Sequence, residues 1–92
     1  MNVTTSHWDA SEYLDSPDMI HEYLKATIEE GDPQALIIAL GNVARAVGMS
    51  EIARKTNLSR QNLYKALSPN SSPKFDTIKK VIDALGCKLT VV

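Results

Sequence analysis

Apolar residues recur every three or four positions along two adjoining stretches of the chain, a spacing that predicts two amphipathic α-helices. The first stretch begins with a serine–proline pair at 16–17, an N-cap residue followed by a proline suited to the first helical position, and it ends at Gly31. An aspartate–proline pair at 32–33 repeats the start signal, and the second apolar stripe continues to Gly48. The pattern therefore predicts two consecutive helices between residues 16 and 48.

The following forty residues carry the start and stop signals of three further helices. A loop rich in serine and proline is predicted for 68–73, between the second and third of them. The predicted helices are 50–56, capped by Ser50; 59–67, capped by Ser59; and 75–86, which begins at Phe75 and is closed by Gly86.

Different patterns mark the two ends of the chain. Residues 87–92 alternate and are rich in β-branched side chains, which predicts a short C-terminal strand. A strand needs a partner, and both residues 3–5 of the same chain and the same strand of a second subunit remain open. A short helix or turn is expected at 9–14. The predicted fold is mainly α, a bundle of five to six short helices with a short C-terminal β-strand.

Length and composition favour one small globular domain spanning residues 1–92, with 43% apolar and 23% charged residues. The single cysteine, Cys87, excludes an intramolecular disulfide and a multi-cysteine metal site, and it suits a reducing cytoplasm. The longest apolar run, 35–40, is too short to span a membrane, and the N-terminus carries no recognisable secretion signal. We therefore expect a cytoplasmic protein without a membrane partner.

The net charge of −1 conceals a strong segregation of charge along the chain. Residues 1–32 contain eight acidic residues and one basic residue, whereas residues 33–92 contain nine basic and three acidic residues. This division predicts an acidic N-terminal helical extension, 1–32, and a basic core, 33–86, which suits a polyanion. The segregation of charge fits equally well an ordinary protein in which each half of the chain presents its charged side chains to solvent.

The segment 49–68 has the pattern of a helix-turn-helix. Ala53 stands where the two helices must touch closely, and Asn57 stands at the turn, where a residue tolerant of positive φ is needed. Leu58 then fills the turn, and leucines at 63 and 67 face the core. In such a motif the second helix enters the major groove of DNA.

The outward face of that second helix carries the predicted DNA contacts. We expect Arg60 to bind guanine and Gln61 to bind adenine, because arginine and glutamine form bidentate hydrogen bonds with these bases. The alternative is an ordinary solvated helix face. The full set of predicted contacts to bases or phosphates is Ser50, Ser59, Arg60, Gln61, Asn62, Tyr64, Lys65 and Lys74.

With these residues in place, segment 49–86 resembles the Xre/Cro-type, lambda-repressor-like helix-turn-helix. Thr56 and Asn57 depart from it, since the general pattern prefers an apolar residue and a glycine there. Nearly the whole chain resembles the addiction-module antidote family of HigA-like antitoxins, through the motifs DASEYL, EGDP, ALGNVARAVGMS, SRQNLYKALS and FDTIKKVIDALGCKLTV.

This resemblance implies a repressor of its own operon that also neutralises a RelE/ParE-like toxin, a small basic protein. We further expect a homodimer, because two recognition helices one turn of DNA apart would bind a palindromic operator. The acidic extension suits the basic toxin, with Asp18, Glu22, Glu29 and Glu30 as the candidate contacts. A stand-alone phage-type repressor and a protein-interaction module without DNA recognition are the alternatives.

No enzyme is predicted, because the common catalytic and phosphate-binding motifs are absent from the sequence. His7 and His21 are fourteen positions apart, with no cysteine or carboxylate at the spacing of metal ligands. We therefore expect neither a metal nor a cofactor.

Overall fold

A computed structural model describes residues 16–88, and in this part of the chain the protein is mainly helical, as predicted. The predictions for residues 3–5 and 9–14 lie outside the described residues. The five helices are α1, Pro17–Glu30; α2, Pro33–Val47; α3, Met49–Thr56; α4, Arg60–Ala66; and α5, Phe75–Ala84.

The first two helices begin at the predicted caps. The Oγ of Ser16 accepts a hydrogen bond from the Met19 N–H at 3.2 Å, and a carboxylate oxygen of Asp32 accepts one from the Gln34 N–H at 3.0 Å. Each cap satisfies an amide that the helix leaves without a partner. Between the helices Gly31 adopts a left-handed conformation with φ 77°, which lets α1 end and α2 begin within two residues.

Gly48, and not Ser50, is the residue that caps α3. Its N–H donates to the Ala44 carbonyl oxygen at 2.8 Å and its own carbonyl accepts from the Ile52 N–H at 3.1 Å. One glycine, with φ 121°, therefore ends α2 and begins α3, so that Ser50 lies inside the first turn of α3. The prediction that Ser50 is an N-cap is wrong, because this double role leaves no room for a separate cap.

The helices α2 and α3 meet at an angle of 105° across Gly48. Within residues 16–88 no single helix is long and apolar enough to cross a membrane; only α2 and α3 taken together reach that length and composition.

All five helices contribute to one hydrophobic core. Leu40 of α2, Ile52 of α3 and Leu63 of α4 are each 0% exposed. Val81 of α5 is also fully buried, and α1 adds Leu24 at 5% exposure. Of the seven residues of α4 only Leu63 is buried, and five are exposed.

The chain leaves α5 through a turn that prevents Cys87 from entering a strand. Gly86 has φ 80°, and the Cys87 N–H donates back to the Ile82 carbonyl oxygen at 3.2 Å. The predicted strand 87–92 is therefore wrong for Cys87 and Lys88, because the turn uses the amide that a strand partner would need. The remainder of that prediction, 89–92, lies outside the described residues.

Candidate nucleic-acid interface

The turn between α3 and α4 has the backbone conformation that its sequence predicts. Asn57 is left-handed, with φ 61° and ψ 30°, a conformation that asparagine tolerates better than most residues. The N–H groups of Asn57 and Leu58 both donate to the Ala53 carbonyl oxygen, the second at 3.1 Å. Three residues, 57–59, therefore suffice to connect the two helices.

Thr56 shows how a polar residue fits where the general motif prefers an apolar one. It is only 5% exposed, and its hydroxyl donates to the Ile52 carbonyl oxygen at 2.8 Å. The hydrogen bond stays within α3, so the burial of this hydroxyl costs little. The threonine therefore replaces an apolar residue at this position without needing a partner outside α3.

The orientation of α4 is set by its cap and its buried leucines. The Ser59 Oγ accepts from the Asn62 N–H at 3.0 Å, as expected of an N-cap. Leu63 is 0% exposed and Leu67, directly after the helix, is 4% exposed. These anchors leave the opposite side of the helix in solvent.

The predicted contact residues on α4 and its cap are brought together on that solvent side. Residues three or four positions apart on a helix lie side by side, so Arg60 and Tyr64 are neighbours on this surface. The exposed residues are Ser59, Arg60, Gln61, Asn62, Tyr64 and Lys65.

Arg60 and Tyr64 lie one helical turn apart and contact each other. The Arg60 Nη2 is 3.4 Å from the Tyr64 hydroxyl oxygen, and the Arg60 Cζ lies 5.9 Å from the centroid of the Tyr64 ring. A guanidinium above an aromatic ring is attracted without losing its charge. Arg60 is thus held along the exposed face of α4 with hydrogen-bond donors to spare.

The acidic side chains between residues 33 and 88 are all used in ion pairs on α3 and α5. Such exposed pairs add little stability, but they neutralise the cations that take part. The pairs are Glu51 with both Arg54 and Lys55, the latter at 3.7 Å; Asp83 with Lys79 at 3.0 Å; and Asp76 with Lys80 at 3.5 Å.

Six other cations have no acidic partner among residues 16–88: Lys25, Arg45, Arg60, Lys65, Lys74 and Lys88. Arg60, Lys65 and Lys74 are the three that were predicted to contact DNA, and all three are exposed. Two of these three uncompensated charges lie on α4, and the third lies at the end of the loop that follows it.

Gln34, which the sequence patterns do not single out, holds this loop in place. Its Oε1 accepts from the Asn70 N–H at 2.7 Å, and its Nε2 donates to the Ser71 carbonyl oxygen at 3.2 Å. The Ser71 hydroxyl in turn donates to the Ala66 carbonyl oxygen at 2.7 Å. One side-chain amide thus attaches the loop to α2, and the loop itself is attached to the end of α4.

The two remaining predicted contact residues lie at the starts of other helices. Ser50 is exposed in the first turn of α3, and Lys74 is exposed at the N-cap position of α5, where its side chain makes no capping hydrogen bond. Lys74 is the last residue before α5 and directly follows the predicted loop 68–73.

The surface of α1 has the opposite charge. Asp18, Glu22, Glu29 and Glu30 are exposed there, and none of them forms an ion pair with a residue of the described range. Within that range no group of three His, Cys, Asp or Glu side chains is placed to hold a metal ion.

Comparison with known proteins supports one family over almost the full chain. A family model described as "Probable addiction module antidote protein" matches residues 4–92. An uncharacterized protein from Haemophilus influenzae is 42% identical over 91 residues, covering 99% of this chain and 94% of the relative. No solved structure matches. The chain belongs to the family of addiction module antidote proteins.

Proposed function

We propose that this protein is a sequence-specific DNA-binding antitoxin of a type II toxin–antitoxin module, which represses its own operon in the cytoplasm and neutralises a RelE/ParE-like toxin. The observation that carries the DNA-binding part is the exposed face of α4. It combines polar and cationic side chains from Ser59 to Lys65 on a helix anchored by buried leucines.

Base recognition is assigned to the start of α4, because the N-terminal residues of a recognition helix reach the base edges. Arg60 offers the paired donors that fit guanine O6 and N7, and Gln61 offers the donor and acceptor that fit adenine. Asn62 and Tyr64 are exposed beside them and extend the same surface.

Phosphate binding is assigned to the residues around this surface. The Ser59 Oγ is occupied as an acceptor by the Asn62 N–H, which leaves its hydroxyl hydrogen free to donate to a phosphate oxygen. Lys65 and Lys74 supply positive charge, and Ser50 supplies a hydroxyl at the start of α3. Such contacts position the protein on DNA without distinguishing sequences.

Two copies acting together would recognise a palindromic operator. In a two-fold dimer the recognition helices lie about 34 Å apart, one turn of DNA, so that each occupies one half-site. We therefore propose that the repressing form is a homodimer.

The toxin-binding part rests on the family and on the charge of α1. An antidote family implies a cognate toxin partner, and proteins of this kind are generally not enzymes. The exposed carboxylates of α1 have no ion-pair partner among the described residues, and they suit a basic protein surface. DNA and toxin would thus bind surfaces of opposite charge.

The DNA-binding proposal is tested by fluorescence anisotropy with the DNA that precedes the gene. We expect Arg60→Ala to lower operator affinity by about 1–3 kcal/mol and to relax specificity at one base pair. The control is Lys25→Ala on α1, which removes the same charge far along the chain from α4 and should leave affinity nearly unchanged. Equal effects of the two variants would show that α4 is not the recognition helix.

The antitoxin proposal is tested with the neighbouring reading frame, where a small basic protein is expected. Co-purification of that protein should be lost in the double variant Glu22→Lys, Glu30→Lys. It should survive Asp76→Lys, Asp83→Lys, which makes the same change of charge on α5. Absence of a basic neighbour would favour a stand-alone repressor, and absence of specific DNA binding would favour a protein-interaction module.

A further inference from the structure

Phe75, the first residue of α5, is the most exposed large apolar side chain in the described part of the chain. It is 66% exposed, whereas the other exposed large apolar residues do not exceed 46%. Ile78 packs against the core one turn later, and Ile82 is buried one turn beyond that. Because residues at these spacings share one side of a helix, the apolar stripe of α5 continues past the edge of the core and ends in solvent at Phe75.

The charged residues of α5 compensate one another. Asp76 pairs with Lys80 at 3.5 Å. Asp83 pairs with Lys79 at 3.0 Å. These two acids and two bases are the only charged residues of α5, so the helix carries no net charge. The other four helices are charged, α1 negatively and α2, α3 and α4 positively. Among the described helices α5 is therefore the one that can meet a copy of itself without bringing like net charges together.

We propose that a second copy of this chain binds this face, with Phe75 at the centre of a two-fold contact between the α5 helices of two protomers. A two-fold contact uses the same patch on both protomers, so the patch must be complementary to itself. An apolar ring on a helix without net charge meets that requirement, and the removal of both rings from water is the driving force. This assignment rests on the proposed function, since it names the contact through which the proposed homodimer forms.

The position of Phe75 suits a dimer that forms on DNA. Phe75 directly follows Lys74, to which the proposed function assigns a phosphate contact, so the apolar patch borders the candidate DNA interface. Contact there brings the DNA-binding surfaces of two protomers next to each other, as two adjacent half-sites require. One phenyl ring on each side buries far less than the roughly 1,200–2,000 Å² of a stable complex. We therefore expect weak association of the free protein and cooperative binding to the two half-sites.

The first measurement is sedimentation equilibrium of the full-length protein without DNA, over a wide range of protein concentrations. We expect a monomer–dimer equilibrium whose dissociation constant rises about tenfold in Phe75→Ala, which corresponds to about 1.4 kcal/mol. Phe75→Leu should retain most of the association, because it keeps a large apolar side chain at this position. The matched control is Ile38→Ala on α2, which removes another exposed apolar side chain, 43% exposed, and should leave the dissociation constant unchanged.

The second measurement separates contact between protomers from contact with DNA. Phe75→Ala should bind a duplex that contains a single half-site as tightly as the unchanged protein does, because one protomer suffices there. On the full operator the same variant should lose the cooperativity that the unchanged protein shows. A loss of half-site affinity with unchanged self-association would assign Phe75 to a DNA contact and overturn the dimer contact.

The two measurements also distinguish failure of this contact from failure of the proposed function. A dimer with the same dissociation constant in the unchanged protein and in Phe75→Ala would overturn the contact and leave the proposed homodimer intact. A protein that stays monomeric in sedimentation and binds the operator without cooperativity would overturn both. Absence of specific DNA binding would contradict the proposed function alone, because sedimentation without DNA still reports on Phe75.

Discussion

Gly41, in the middle of α2, lies against the carbonyl oxygen of Leu67 at the end of α4. A Cβ atom at position 41 would be 3.0 Å from that oxygen and 3.7 Å from the Leu67 Cβ. The missing side chain thus allows α2 to approach the end of the candidate recognition helix. This contact adds to the Ser59 cap and the buried Leu63 in setting how α4 lies on the core.

Gly41→Ala should therefore destabilise the fold. In an open helix the change from glycine to alanine adds about 1 kcal/mol of stability. Here we expect a net loss of about 1–2 kcal/mol, because the added methyl group presses on backbone that cannot move independently of α4. The measurement is the urea unfolding midpoint, and Gly41→Ser should lower it as well. A more stable Gly41→Ala protein would contradict this view of the contact.

Gln34→Ala should loosen the loop after α4 more than it affects the rest of the fold. Loss of the two hydrogen bonds to Asn70 and Ser71 should cost about 1 kcal/mol, because the site is partly exposed. Amide exchange at Asn70, followed by NMR, should become faster. Gln34→Glu keeps the acceptor for Asn70 but places a carboxylate oxygen against the Ser71 carbonyl, so it should not restore protection. Unchanged exchange in both variants would show that the loop is held by other contacts.

Lys74→Ala should weaken binding to all DNA sequences to a similar extent and reduce the slope of log affinity against log salt by about one unit. Lys79→Ala is the control, because Lys79 already pairs with Asp83 at 3.0 Å and should change the slope less. Loss of affinity confined to one base pair would assign Lys74 to base recognition and not to phosphate.

We expect Glu51 to make the free energy of unfolding depend on pH in the acidic range. The hydrogen bond and charge of Arg54, with Lys55 adding to them, hold the pKa of the Glu51 carboxyl below its usual value. A lowered folded-state pKa means that the stabilisation is present above the unfolded-state pKa and is lost as the pH falls through the folded-state pKa. The effect should be small, since the pair is exposed. Urea midpoints should therefore fall less steeply with acidification in Glu51→Gln, and an identical pH profile would exclude the ion pairs as a source of stability.

Helix boundaries were predictable wherever the signal is local. The caps at Ser16, Asp32 and Ser59 and the left-handed Asn57 are confirmed, because a cap or turn depends on residues only two to four positions apart. The prediction that Ser50 caps α3 is wrong because Gly48 serves two helices at once. The hydrogen bonds of its N–H to Ala44 and of its carbonyl to Ile52 show this double role.

The sequence by itself determined the helical pattern, the segregation of charge and the identity of the side chains on the exposed face of α4. Only the tertiary structure decided what holds that face in place, namely Gly41 against Leu67 and Gln34 on the loop. The ion pairs on α3 and α5 belong with the local signals, because each joins residues three or four positions apart. The physical reason is distance along the chain. Caps and ion pairs one turn apart depend on residues that are close together in the sequence. Gln34 and Asn70, by contrast, are 36 positions apart and meet only when the core forms.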